Sequence, residues 1–187
     1  MLQLRDRPPP LVTDRLVLRD LRLDDAHAVA GRAGDRRVAR FLIAVPTPYP
    51  VSLAARWIDG RLSWWPNRGV TMAIARRDDP DELLGTASLR RFSRDRRAEL
   101  GYWLGADAWG QGFATEAAGA IIDFGFRDLG LERIYAQVLE GNAASCRVLE
   151  KLGMINEGTR RRHDRKGRRL HDVEMFGLLR DEWEYLS

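Results

Sequence analysis

The sequence predicts a single α/β domain, with a mixed central sheet of about seven strands flanked by about four helices. Three observations predict it. Three strand-like runs, Val70–Ala75, Leu83–Phe92 and Ala98–Leu104, follow one another across connections short enough for hairpins, which makes an antiparallel meander. The segment Ala114–Leu129 is a long helix with one apolar face. A further strand, Arg133–Leu139, follows that helix, so strand, helix and strand form a βαβ unit whose two strands are parallel neighbours.

In chain order, residues 1–13 read as a mobile lead-in before a domain at 14–187, because Pro8, Pro9 and Pro10 suit neither a helix nor a central strand. Arg15–Leu21 alternates apolar Leu16 and Leu18 with polar neighbours, the period of a half-buried strand. Asp24 and Asp25 then start a helix that runs to about Gly34. Residues 35–50, with Pro46, Pro48 and Pro50, are expected to be irregular. Val51–Trp65 reads as a second helix with Leu53, Trp57, Leu62 and Trp64 turned inward. Asn67–Gly69 turns into the meander, whose connections are residues 78–82 and the polar stretch 93–97. In the long helix, Ala114, Ala117, Ala118, Ile121, Ile122, Gly125 and Leu129 fall on one face. Asn142–Leu152 is a helix stopped by Gly153, and two strands near 154–162 and 171–179 flank a basic turn.

Composition narrows the function classes. At 187 residues, one core can form without disulfides or metals. Cys146 is the sole cysteine, and no Cys-x-x-Cys or His-x-x-x-His pair occurs, so no metal site is expected. No apolar run approaches the roughly 18 residues of a membrane span, and the first ten residues lack a signal-peptide core. A cytoplasmic protein with no membrane partner is expected. The pI is about 9.7, yet the formal net charge is only +4. All basic residues but Lys151 and Lys166 are arginine, spread along the whole chain. Nucleic acid is therefore not expected as a partner, since it calls for one clustered basic face.

The chemistry concentrates at Tyr102–Ala117, where a strand ends, a loop carries Gly110 and Gly112, and the long helix begins. Glycine lets backbone amides approach a ligand, and the first amides of a helix have no internal partner and sit at its positive end. Together they make a diphosphate cradle. A Walker A loop is excluded, because no Lys-Ser/Thr follows the last glycine. A dinucleotide fingerprint fits poorly: its third small residue is Thr115, and the acid about 20 residues on, Glu132, precedes its strand. A plain glycine-rich turn remains the bland alternative.

Two segments carry a family resemblance: Gly101–Leu104 with Trp109–Ala117, and Asn142–Gly153. They resemble the GNAT acetyltransferase superfamily. The opening Thr13–Arg19 is similar to its ribosomal-protein N-terminal acetyltransferase branch, and the likeness spans roughly residues 11 to 180. The loop often begins with Gln or Arg in that family, where this chain has Trp109. The resemblance implies a GNAT-like fold in which the parallel pair splays apart around acetyl-CoA. It puts Tyr102, Trp103 and Leu104 against the pantetheine arm and Gln111, Gly112, Phe113, Ala114 and Thr115 around the pyrophosphate. It puts Asn142 on the pantetheine and Ser145 at the thioester sulfur, and it places Phe41, Tyr49 and Trp64 beside the acceptor groove.

The reaction so implied is direct attack of an amine on the acetyl thioester in a ternary complex. Backbone amides near Trp103 and Leu104 are placed to polarise the carbonyl. A lysine-like amine costs about 4.6 kcal/mol to deprotonate at pH 7, an α-amine only about 1. An N-terminal substrate thus needs only a weak base, for which Glu99 is the first candidate, against a bland role as the partner of a nearby arginine. Ser145 is a hydrogen-bond donor to the departing thiolate, against a bland place in the first helical turn, where Asn142 is also a good N-cap. An acetyl-cysteine route through Cys146 has no local histidine to support it. His27, His163 and His171 are scattered, and the Trp57/Trp64/Trp65 group reads as core. Residues 160–169 hold seven basic side chains in ten, either a solvated hairpin end or a patch for acidic protein or RNA. The expected acceptor is an α-amine of a protein or peptide, with a ribosomal protein N-terminus as one form. The alternatives are a small-molecule amine or antibiotic, and a non-catalytic CoA- or RNA-binding module. Either a monomer or a homodimer fits.

Overall fold

The computed structural model describes residues 7–92 and 96–186. The first six residues of the expected lead-in, positions 93–95 of the second meander connection, and Ser187 lie outside the described residues. The strands are β1 (Leu11–Val12), β2 (Leu16–Asp20), β3 (Gly69–Arg76), β4 (Leu83–Phe92), β5 (Arg97–Leu104), β6 (Arg133–Leu139), β7 (Ile155–Lys166) and β8 (Arg169–Leu179). The helices are α1 (Ala26–Gly34), α2 (Arg36–Ala39), α3 (Val51–Leu62), α4 (Phe113–Arg127), α5 (Ala143–Lys151) and α6 (Arg180–Leu186). All eight strands form one sheet in the order β1-β2-β3-β4-β5-β6-β8-β7. The strand beyond the expected seven is β1, which pairs with β2 through Leu11↔Leu18 and Val12↔Val17 inside the stretch read as a lead-in.

Alternation along each strand sorts the side chains into two layers. Leu16, Leu18, Met72, Ile74, Leu89 and Leu100 face α4, whose Ala117, Ala118, Ile121 and Phe124 complete the larger core. On the other face Ala73 and Leu83 pack against Val29 and Ala30 of α1 and Ala54 and Ile58 of α3. The inward face of α3 is thus Ala54 and Ile58 with Trp57 and Leu62 at its rim, and Leu53 and Trp64 lie outside that cluster. The expected set of Leu53, Trp57, Leu62 and Trp64 departs from a 3.6-residue period, and the helix ends at Leu62. Two helices lie beyond the four expected. Asp35 caps the short α2 by accepting from the Arg37 amide inside the segment read as irregular. At the far end α6 stacks Trp183 on Phe126, with ring centroids 5.2 Å apart.

Among the described residues the only parallel pairing is β5 with β6, and it is short. It runs from Arg97↔Arg133 to Leu100↔Ala136. Beyond that point Gly101–Leu104 stays bonded to β4, and Gln137–Leu139 stays bonded to β8. Each strand follows its own antiparallel neighbour, so the sheet opens as a V between them. The start of α4 lies beyond the C-terminal end of β5, at the mouth of that V.

The first turn after β2 is held by a buried ion pair. Arg19 and Asp25 are each 5% exposed. The guanidinium donates to both carboxylate oxygens at 2.9 and 2.8 Å and to the Pro80 carbonyl at 2.6 Å. Asp25 also accepts the Arg22 amide at 2.8 Å. Removing one partner leaves the other charge buried and uncompensated. Asp25→Ala is expected to lower unfolding stability by about 3–5 kcal/mol, read as a fall in the urea midpoint with an unchanged m-value.

Candidate active site

The glycine turn has the geometry of an anion cradle. Gly110 and Gly112 take φ of 75° and 80°, left-handed values that a side chain resists. Gly112 is the N-cap of α4, and among the described residues no side chain caps the helix. The first intrahelical donor is the Glu116 amide, which bonds the Gly112 carbonyl at 3.1 Å. The amides of Phe113, Ala114 and Thr115 therefore have no partner within the helix, and they open on a cleft of about 1210 Å³. Gly112, Phe113, Ala114 and Thr115 line that cleft, whereas Gln111 is exposed and outside its lining.

An acid in the first turn of such a helix opposes an incoming anion unless it is neutralised. Glu116 is that acid, and the opening segment of the domain neutralises it. Thr13 Oγ1 donates to Glu116 at 2.6 Å, the Arg15 amide at 2.9 Å and the Arg15 Nε at 2.8 Å. Burial pushes this carboxyl up, but the hydrogen bonds from Thr13 and Arg15 and the charge of Arg15 together bring it below the usual range. Arg15 also donates to the Gln111 carbonyl at 2.9 Å, so one side chain holds both the loop and the helix start.

The V supplies a second row of backbone donors and acceptors. The Gly105 amide bonds the Leu84 carbonyl at 2.8 Å. With the register Thr86↔Trp103 and Ser88↔Gly101, antiparallel alternation turns Gly101 and Trp103 toward β4. The same alternation turns Tyr102 and Leu104 into the opening. Of the two amides expected to polarise a carbonyl, that of Leu104 thus faces the opening, while that of Trp103 faces β4. The indole of Trp109 donates to the Leu104 carbonyl at 3.0 Å, so the residue that departs from the usual loop steadies this edge.

Across the V, the Asn142 side chain caps α5 by accepting the Ser145 amide at 3.3 Å. Ser145 Oγ lies 2.8 Å from the Tyr102 hydroxyl, and both residues line the cleft. Burial pushes the Tyr102 phenol up to about 12, against the hydrogen bond from Ser145. This hydroxyl pair could not be read from the sequence, because the two residues lie 43 positions apart. Cys146 is outside the cleft lining. Its thiol points to Glu174 at 3.8 Å, and burial, then the Glu174 charge, pushes it above the ordinary thiol range. A thiol held protonated is a poor nucleophile.

The other half of the cleft lies on the α1/α3 face of the sheet. Glu99 lines it but is ion-paired to Arg90, its register partner on β4. Phe41, Tyr49, Trp57 and Trp64 form its wall, so of the tryptophan group only Trp65 packs on the large core. The basic hairpin end does more than meet solvent. Its Lys166 Nζ donates to the Leu42 carbonyl at 2.6 Å, tying β7 to the 41–45 wall. His163 and Asp164 reach the cleft through a register shift between Arg160 and Asp164. His171 instead lies 2.7 Å from Glu140, and His27 is exposed.

Comparison with known proteins agrees with this geometry. Residues 15–155 match the model of the acetyltransferase (GNAT) domain. The uncharacterized N-acetyltransferase p20 of Bacillus licheniformis is 36% identical over 178 residues, 92% of this chain and 97% of that protein. YdaF of Bacillus subtilis, provisionally named a ribosomal N-acetyltransferase, is 34% identical over 103 residues, 54% of this chain and 56% of that protein. The fold matches that of Mycobacterium smegmatis RimJ, solved in complex with CoA-disulfide, with a TM-score of 0.79, 24% identity and coverage of 89% and 83% of the two chains.

The uncapped amides and the positive φ at Gly112 fit a pyrophosphate. Gly112→Val adds a branched Cβ at φ 80° and narrows the cradle. It is expected to weaken CoA binding by at least about tenfold, measured by calorimetry on protein whose far-UV spectrum is unchanged. Unaltered affinity would place the nucleotide elsewhere.

Proposed function

This chain belongs to the GNAT acetyltransferase family, whose members use acetyl-CoA, and from that premise we propose that it acetylates the N-terminal α-amine of a protein or peptide. The observation that carries the proposal is the cleft itself. It runs from the cradle at Gly112 past Tyr102 and Ser145 to an open aromatic wall at Tyr49 and Trp64, so one channel passes both the cofactor and the acceptor positions. The relation to YdaF supports a protein acceptor. So does the modest base the site offers: an α-amine needs only about 1 kcal/mol to become neutral at pH 7.

The chain's residues divide the work as follows. Gly112, Phe113, Ala114 and Thr115 hold the pyrophosphate, and Tyr102, Trp103, Leu104 and Asn142 line the pantetheine path, with Gln111 fixing the loop through its carbonyl. The Leu104 amide faces the thioester carbonyl and stabilises charge on its oxygen as the amine attacks. The carbon–sulfur bond then breaks, and the sulfur leaves as a thiolate with a pKa near 8.5. Tyr102, pushed up to about 12, keeps its proton against such a thiolate by several units. It and Ser145 therefore give the sulfur a hydrogen bond and not a proton. The proton comes from the attacking nitrogen, with Glu99 as its acceptor on the acceptor side of the strand.

Two measurements test this reading. Free thiol should appear from acetyl-CoA when peptides with a free N-terminus are added, and mass spectrometry should find the acetyl group on the α-amine. Turnover of small amines with none of peptides would reject the peptide acceptor. Glu99→Gln should lower kcat about 100-fold. A loss under about threefold would leave Glu99 only its ion pair with Arg90.

A further inference from the structure

Arg61 is a feature of the acceptor half that neither the core nor the chemistry above employs. It lies on α3, and its guanidinium sits 3.6 Å from the Trp64 ring centroid and 5.3 Å from that of Trp57. It lines the cleft and is half-buried. Among the described residues it has neither an acid partner nor a hydrogen bond. Buried guanidinium groups are ordinarily paired. Arg19, paired with Asp25, follows that rule in this chain. Burial, and then the charge of Arg90, lowers the Arg61 guanidinium below its ordinary value, so a new anion would relieve both effects.

A second observation points to the same place. Thr71 is 5% exposed, lines the same cleft, and its hydroxyl has no hydrogen-bond partner among the described residues. It stands opposite Ser88 on β4, which in turn stands opposite Gly101 on β5. Buried hydroxyls are nearly always satisfied. A charged donor and a neutral one are thus left open in the lining of one cleft.

We propose that the acceptor carries a carboxylate close to its amine and that Arg61 pairs with it. This rests on the reading that this half of the cleft takes the acceptor. A single unpaired guanidinium matches the two oxygens of a carboxylate as a fork. The two tryptophan rings hold that fork in place before the ligand arrives. The same charge repels a polyamine. The carboxylate has two sources: an acidic side chain just after the N-terminal residue of a peptide, or the α-carboxylate of a free amino acid.

Thiol release by the full chain tests this with matched acceptors. One arm compares a serine–glutamate peptide with its serine–glutamine twin, and the other a free amino acid with its amide. In one arm the acid member should win by about 10- to 100-fold in kcat/KM, mostly through KM, and that arm identifies the source. Arg61→Gln should bring the ratio near one and Arg61→Lys should restore part of it, while CoA affinity, the check on folding, stays within about twofold. If no acceptor turns over, quenching of tryptophan fluorescence by the same pairs reads the same ratio. A ratio near one in both arms of the wild type, or a ratio that Arg61→Gln leaves unchanged, overturns the proposal. Peptide turnover without acid preference defeats this inference alone. Acid-preferring turnover of amino acids but not peptides defeats the N-terminal reading alone, and turnover of polyamines only defeats both.

Discussion

The structure depends on a parallel strand pairing that stops early. β5 and β6 pair over four residues and then part, because each is held by an antiparallel neighbour that continues past the break. Backbone groups inside a sheet are ordinarily consumed by the ladder. Here a short row of them at Tyr102 and Leu104 is left facing a cleft. The chain leaves β5 through a glycine turn that aims the first amides of α4 at the same opening. Two sets of unspent main-chain donors thus open on one cleft.

Keeping that cleft free requires support from distant sequence. Glu116 would set a negative charge against the phosphates, yet its first-turn position is favourable for the helix itself. Thr13 and Arg15, about a hundred residues away, reconcile the two by binding its carboxylate. The short N-terminal strand β1 and the turn after it therefore act on the cofactor site and not only on the sheet edge. On the opposite face, Lys166 joins the β7–β8 hairpin to the 41–45 wall by donating its Nζ to the Leu42 carbonyl.

Much of this was legible in the sequence. The meander, the βαβ unit and α4 follow from local periodicity and turn length, and the two conspicuous motifs point to acetyl-CoA. What stayed hidden was relational. The alternation that turns Leu104, and not Trp103, into the V depends on which strand lies beside β5. The Tyr102–Ser145 contact and the unpaired state of Arg61 depend on residues that only the fold brings together or keeps apart. The basic run at 160–169 read as one feature, yet a register shift splits it, sending His163 and Asp164 to the cleft and Lys166 to the wall. The inward face of α3 was misjudged because its large tryptophans attract attention while small Ala54 and fully buried Ile58 make the contact.

The central claim is that main-chain amides at the start of α4 and along the parted edge of β5 hold coenzyme A. Amide-resolved NMR during titration with the nucleotide addresses it directly. The account predicts the largest shift changes at Gly112, Phe113, Ala114 and Thr115, with a second group at Tyr102 and Leu104. Quiet amides at those positions, with the changes gathered on another surface such as the β7–β8 hairpin, would contradict it.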